Sequence, residues 1–331
     1  MMRRFFVAVT LLLLMPTSAR ADWHQREAAI MGTRITAELW HEESTAGQAA
    51  LDAVFAEMHR IDRLMSHYKP DSQLSRINRN ATAGPVVVDH ELALLIAKSF
   101  EFSELSGGAF DITYASVGYL YDYREKRHPS EAEIQAALPA VNWRHVAVDL
   151  DASTVRFLAP GVRIDLGGIA KGYAVDRSIA LLAARGIDHA RVTAGGDSRL
   201  LGDRRGRPWM VGIRHPDDAG RVVLRLPLED TAVSTSGDYE RFFDEDGVRY
   251  HHIIDPATGK SPHAVRSVTV IGPDATLTEG LTKSLFILGP ERGIALIDAR
   301  EDVDAVIVAS DGKVWYSKGL APPAAAGTSG G

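Results

Sequence analysis

Cysteine is absent from all 331 residues. That excludes disulfides, thiolate metal sites and cysteine nucleophiles, and leaves no thiol near the N-terminus for lipid attachment. A surplus of basic charge is missing too. The 37 Lys and Arg stand against 43 Asp and Glu, a net charge of −6, which argues against general nucleic-acid binding, since that needs a basic surface. After residue 21 no apolar run is long enough to span a bilayer. No segment repeats at a fixed period, and neither a Walker A loop nor a G-x-G-x-x-G dinucleotide fingerprint occurs.

What is present begins with a leader. "MMRRFFVAVTLLLLMPTSARADW" has two arginines, an apolar run and then Ala19-Arg20-Ala21. This is the pattern of a secretory signal with a small-x-small cleavage site. Cleavage after Ala21 and a periplasmic destination are expected. Residues 319–331, "GLAPPAAAGTSGG", lack periodicity and read as a disordered tail. Residues 22–318 are left as one large domain, 45% apolar over the whole chain, which suffices for a real core.

Within it, "EAAIMGTRITAELW" at 27–40 reads as a strand pair broken at Gly32. Leu51, Val54, Phe55, Met58, Ile61, Leu64 and Met65 recur at helical spacing and predict one long amphipathic helix. A polar loop, "SHYKPDSQLSRIN", follows, then a helix over 89–105 ended by Gly107-Gly108. Residues 108–130, "GAFDITYASVGYLYDYREKRHPS", are aromatic and basic without a clean period and read as a functional loop region. A short helix over 130–138 precedes a hairpin turning at Asp151-Ala152. Strands are expected at 162–165, 190–194, 208–214, 221–227, 247–254 and 266–271, and helices from Ile169, over 275–287 and over 290–299. The fold class is therefore α/β or α+β, in two interlocked halves with mixed sheets.

The chemistry gathers in short stretches. In "IDLGGIAKGYAVD", Asp165 ends a strand, Gly167 and Gly168 admit close backbone approach, and a helix N-terminus follows that would favour an anion. Lys171 sits in that first helical turn, where a cation is unfavourable unless negative charge is near. A bound phosphate and a plain strand-to-helix turn both fit these residues. "TAGGDSR" and "GGAFD" repeat the Gly-Gly-acid theme. "YHHIIDPATGKSP" adds His252 ahead of a turn begun by Asp255-Pro256. In "TEGLTKSLFILG", Glu279 and Lys283 stand four apart on a helix, which fits a surface ion pair as well as a site.

"GGAFDIT", "IDLGGIAKGYAVD", "AGGDSR", "STSGDYERFF", "HHIIDPATG" and "EGLTKSLFILG" occur in this order. Together they resemble the FAD:protein FMN transferases, the ApbE-type flavin transferases, from Met31 to about Gly289. The resemblance implies an enzyme that uses FAD and a divalent cation, usually magnesium. It implies transfer of FMN to a Thr or Ser side chain of an acceptor flavoprotein, with release of AMP. Some members of the family hydrolyse FAD instead, and a non-catalytic flavin-binding protein is a further alternative. By position, the resemblance implies FAD contacts at Met31, Tyr68, Ala109, Phe110, Asp111, Asp165, Lys171 and Ile253. It implies metal contacts at Gly168, Glu279 and Thr282, and a catalytic base at His252. One departure stands out. The family's metal-ligand pair is typically Asp and, four residues later, Thr; here it is Glu279 and Lys283, with Thr282 just before. A protonated lysine has no lone pair for a metal.

Overall fold

The computed structural model describes residues 22–320 apart from 217. The expected signal at 1–21, and residues 321–331 of the expected disordered tail, lie outside the described residues. Eight strands form the main sheet: β1 (Asp22–Ile30), β2 (Thr33–His41), β3 (Ala190–Ala194), β4 (Asp197–Leu201), β5 (Ala232–Gly237), β6 (Val265–Gly272), β7 (Asp304–Ala309) and β8 (Val314–Tyr316). Their order in space is their order in the chain. Four helices pack on this sheet: α1 (Ser44–Met65), α2 (Ala170–Ala183), α3 (Ala275–Leu288) and α4 (Pro290–Asp298). They too lie in chain order, each against the next. The expected interlocking takes the form of one shared sheet: β1 and β2 precede, and β3 follows, a long insertion. The α/β mixture holds, but the expected mixed sheets are corrected: every pairing among the described strands is antiparallel.

The core lies between sheet and helices. The seven apolar positions read from α1 are all buried, each stabilising by roughly 1.5–3 kcal/mol when fully withdrawn from water. They meet the inward residues Ile35, Ala37 and Leu39 of β2, which alternate as a half-buried strand must. At the N-terminus of α3, the Asp274 side chain accepts the Leu277 N–H at 2.7 Å, a cap typically worth about 1 kcal/mol. A smaller cluster of Val117, Tyr121, Ile134 and Ile254 holds the aromatic segment against the turn at 255–260.

Several elements differ from the sequence reading. The polar stretch after α1 contains a helix, Gln73–Asn80, N-capped by Ser72 and buried through Leu74 and Ile77. The expected strand at 162–165 has no strand partner. Side chains replace the ladder there: Asn78 bonds both the N–H and the carbonyl of Ile164, at 2.8 and 2.9 Å. Strands β4, β5 and Phe242–Glu245 were not anticipated, their serines, threonines and aspartates hiding the alternation. The strand expected over 247–254 stops at His251, so His252 lies just past its end.

Candidate active site

The β1–β2 turn, the β3–β4 turn and the C-terminal end of β5 meet at one end of the sheet. Gly195 N–H donates to Arg34 O, and Thr235 N–H to Gly196 O, both at 2.9 Å. A Cβ on Gly196 would lie 2.2 Å from Thr235 O, so only glycine fits at that junction. Its neighbour Asp197 is thereby held, almost wholly buried, beside α2.

Helices α2 and α3 cross very closely. A Cβ on Gly172 would lie 2.1 Å from Ala275 O. The close crossing lets Glu279, on α3, place one carboxylate oxygen 2.7 Å from the Gly172 N–H. Its other oxygen pairs with Lys171. Glu279 has no exposed surface, and among the described residues it makes no ion pair with Lys283. The reading of these two as a surface pair is corrected: the four-residue spacing is real, but this face of α3 is buried. Lys171 also bonds Asp197 at 2.9 Å. The anion at this helix N-terminus is thus Glu279, supplied by the chain.

Lys283 extends in the opposite sense. Its ammonium donates to Ser236 Oγ at 2.6 Å and lies 3.4 Å from Thr282 Oγ1. Thr282 itself donates to the Glu279 carbonyl at 2.7 Å and meets Ser236 Oγ at 2.8 Å. Lys171 and Lys283 with Asp197 and Glu279 make a quartet of two positive and two negative side chains. Burial pushes the Lys283 ammonium below its ordinary range, and repulsion from Lys171 adds to this. Burial opposes charge on Lys171 as well, but Asp197 and Glu279 outweigh it and hold Lys171 above its ordinary value. Burial and the charge of Asp197 raise Glu279.

His252 borders the same cations. Burial, then the charge of Lys283, pushes its pKa down to about 3, so the ring is neutral at neutral pH. Its Nδ1 is buried without a partner. The His252 N–H donates to Arg241 O at 3.1 Å, and the Arg241 guanidinium bonds Gly32 O at 2.9 Å. This places Met31, at the β1–β2 turn with φ 55°, near the same end. Ile253 packs its side chain into the core.

A second part of the site lies beyond Gly167. Asp165 accepts the Gly167 N–H at 2.6 Å and pairs with His67 at 2.9 Å. Burial favours its neutral acid, but the hydrogen bond and charge of His67 overcome that and hold the carboxyl below its usual range. The His67 ring lies 3.8 Å from that of Tyr68, which is 69% exposed. Both line a cavity of about 280 Å³ with Asn78, Arg79, Tyr119 and Arg163. An exposed aromatic face beside two guanidinium groups suits a planar, anionic ligand.

Phe110 is buried against Phe102 and beside Gly168, where a Cβ would meet its ring at 3.1 Å. Ala109 precedes it. Asp111 is buried, and both oxygens serve the fold: one caps Thr113, the other accepts the Trp143 N–H at 2.8 Å. Its contribution is to shape the loop that carries Ala109 and Phe110. His67, Asp197 and Ser236 belong to the site and were not singled out as site residues from sequence. The Gly-Gly-acid motif pointed at Asp197, while nothing local marks a serine on β5 or a histidine after α1.

The residues expected to hold a divalent cation do not fit one. Among the described residues no cluster of three or more His, Asp or Glu could bind a metal. Both oxygens of Glu279 are engaged. The Thr282 hydroxyl lies within 3.4 Å of an ammonium. Of the carboxylate oxygens on Glu279 and Asp197, Asp197 Oδ1 alone has no hydrogen-bond partner, and one oxygen is far from the near-octahedral set that magnesium requires.

The ApbE family model matches residues 31–307. The chain belongs to the ApbE family. Among its relatives are proteins named FAD:protein FMN transferase. One, from Treponema pallidum, is 35% identical over 91% of this chain and 89% of its own. Another, from Vibrio cholerae, is 31% identical over 94% and 95%. Solved structures agree. The ApbE protein of Thermotoga maritima superposes with a TM-score of 0.84 at 33% identity, covering 90% of this chain and 98% of that one. The flavin transferase ApbE of Vibrio cholerae gives 0.80 at 30% identity, with the same coverage. These ApbE structures match the order of helices and antiparallel strands seen here.

Proposed function

We infer that this chain is a FAD:protein FMN transferase. It transfers the FMN moiety of FAD to a Thr or Ser side chain of an acceptor flavoprotein through a phosphoester bond, and releases AMP. The observation that carries the reading is the meeting of Lys171, Lys283 and His252 at one end of the sheet, in a chain of the ApbE family.

The reaction is a phosphoryl transfer, so positioning and charge neutralisation supply most of the catalysis. The acceptor hydroxyl oxygen attacks the phosphorus on the FMN side. The P–O bond to the AMP phosphate breaks, and AMP leaves with the bridging oxygen. His252, neutral before substrate arrives, takes the hydroxyl proton. Its low pKa rises when the pyrophosphate brings negative charge beside it, because an opposite charge favours the protonated ring. Lys171 and Lys283 face the charge that builds on the phosphate oxygens. Tyr68, supported by His67, offers a stacking face, and Asp165 offers an acceptor for ligand hydroxyl or N–H groups. Met31, Ala109, Phe110 and the backbone at Ile253 border the ligand, while Asp111 acts through its loop.

The N-terminal pattern supports export, with residues 1–21 removed and residues 22–318 acting in the periplasm. Incubating the mature chain with FAD and an acceptor flavoprotein, then weighing the acceptor by mass spectrometry, tests the function. An added FMN unit on a Thr or Ser supports it. FMN and AMP in solution with no adduct would replace it by FAD hydrolysis.

A further inference from the structure

We propose that the ammonium of Lys283 performs, from within the chain, the charge neutralisation that the resemblance assigns to a divalent cation. This rests on the flavin-transferase reading. Two of the three positions expected to hold the metal, Gly168 and Thr282, border Lys283, and the third, Glu279, lies on the same helix. The Cγ of Lys283 lies 3.4 Å from where a Cβ of Gly168 would stand. Its Nζ lies 3.4 Å from Thr282 Oγ1, and Glu279 is one helical turn earlier on α3. The lysine side chain thus lies against two of the three residues that a metal would have to reach.

The rest of the quartet is adjusted to the lysine. Glu279 has turned both oxygens to α2, one to the Gly172 N–H and one to Lys171. Lys283 is held at its tip by Ser236 Oγ at 2.6 Å. Ser236 is buried on β5 and also bonds Thr282, so the ammonium is fixed in position. Two lysines and two carboxylates sum to zero charge without a metal. A hard dication placed among them would meet two ammonium groups and find no carboxylate with both oxygens free. An anionic pyrophosphate meets positive charge already in place.

Three measurements on the full mature chain test this. FAD affinity is measured by flavin fluorescence in EDTA and in millimolar magnesium. Binding of manganese alone is followed by electron paramagnetic resonance. Both are repeated on Lys283→Thr, with a melting curve without ligand to establish its folding. Wild-type affinity should differ by less than about threefold between EDTA and magnesium, and the wild type should not bind manganese. Lys283→Thr should lose about tenfold or more in FAD affinity in EDTA, recover it with magnesium, and bind manganese. A wild type that loses tenfold on chelation, or binds manganese stoichiometrically, overturns the proposal. So does a folded Lys283→Thr that matches the wild type throughout. If that variant does not fold, the wild-type measurements and Lys283→Arg, which keeps the charge and should stay insensitive to EDTA, still decide. Absence of FAD binding by the folded wild type under every condition would overturn the flavin reading, and this proposal with it.

Discussion

Glu279 and Gly172 join two helices: the carboxylate on α3 accepts the backbone N–H in the first turn of α2 at 2.7 Å. The contact exists because glycine at 172 lets the helices cross without a side chain between them. Gly172→Ala should therefore be costly. Its methyl group would meet a carbonyl oxygen, which cannot rotate away as a side-chain tip can. We expect a loss of about 1–3 kcal/mol or more, as for overpacked cores, together with weaker FAD binding. Urea denaturation checks the first and fluorescence titration the second. An unchanged denaturation midpoint would mean that the helices are less tightly crossed than this geometry requires.

Glu279→Gln keeps an acceptor for the Gly172 N–H but removes a charge from Lys171. Lys171 retains Asp197, so the loss should be that of a charge-assisted hydrogen bond, about 1.5–3 kcal/mol. A solvated surface pair would cost about 1 kcal/mol or less. Chemical denaturation of the variant separates the two.

His252→Ala should lower FMN transfer by about 10²–10⁴-fold, the usual cost of a lost general base. FAD affinity should be nearly intact. Single-turnover kinetics with pre-bound FAD provide the check. If binding collapses while bound FAD still reacts at the normal rate, His252 holds the ligand and another group takes the proton.

His67→Ala removes both the side-chain partner of Asp165 and the ring behind Tyr68. FAD binding should weaken by roughly tenfold, about 1.4 kcal/mol. His67→Gln, which can still hydrogen-bond Asp165, should recover part of the loss. Calorimetry of FAD binding distinguishes these variants, and no change in either would remove the Tyr68 cavity from the site.

His251 is buried, and its pKa is pushed down to about 4, chiefly by desolvation. The unfolded chain binds a proton near its ordinary value of 6.5, so between 6.5 and about 4 the unfolded state holds more protons. Stability should therefore fall as pH falls through that window. Denaturation midpoints for wild type and His251→Gln across these pH values test it. The variant should show a shallower decline, and parallel declines would mean that other groups govern acid sensitivity.

Much of this was written locally. The apolar spacing of α1 marked its buried face and its end at Met65, though the helix begins at Ser44, ahead of that pattern, and Asp274 and Gly289 bracket α3 within a residue of the expected ends. The six ordered motifs identified the family and most of the residues at the sheet end. Local signals were weaker where side chains, not ladders, carry the hydrogen bonds. Residues 162–165 looked like a strand because they alternate, yet Asn78 takes the place of the neighbouring strand. Strands β4 and β5 escaped notice because their polar residues face one another or the site.

Which charges meet was decided only by the tertiary structure. The sequence set Glu279 and Lys283 one helical turn apart, and it placed Lys171 at a helix start and Asp197 after a glycine pair. A helical repeat brings i and i+4 onto one face, but it does not say whether that face meets water or another helix. The close crossing at Gly172 buries Glu279 and hands it to Lys171, while Ser236 on β5 takes Lys283. Burial then makes pairing compulsory, since an unpaired charge away from water is too costly to keep. Most residues of the site were legible in the chain, and their partners became fixed only when two helices and one end of the sheet closed around them.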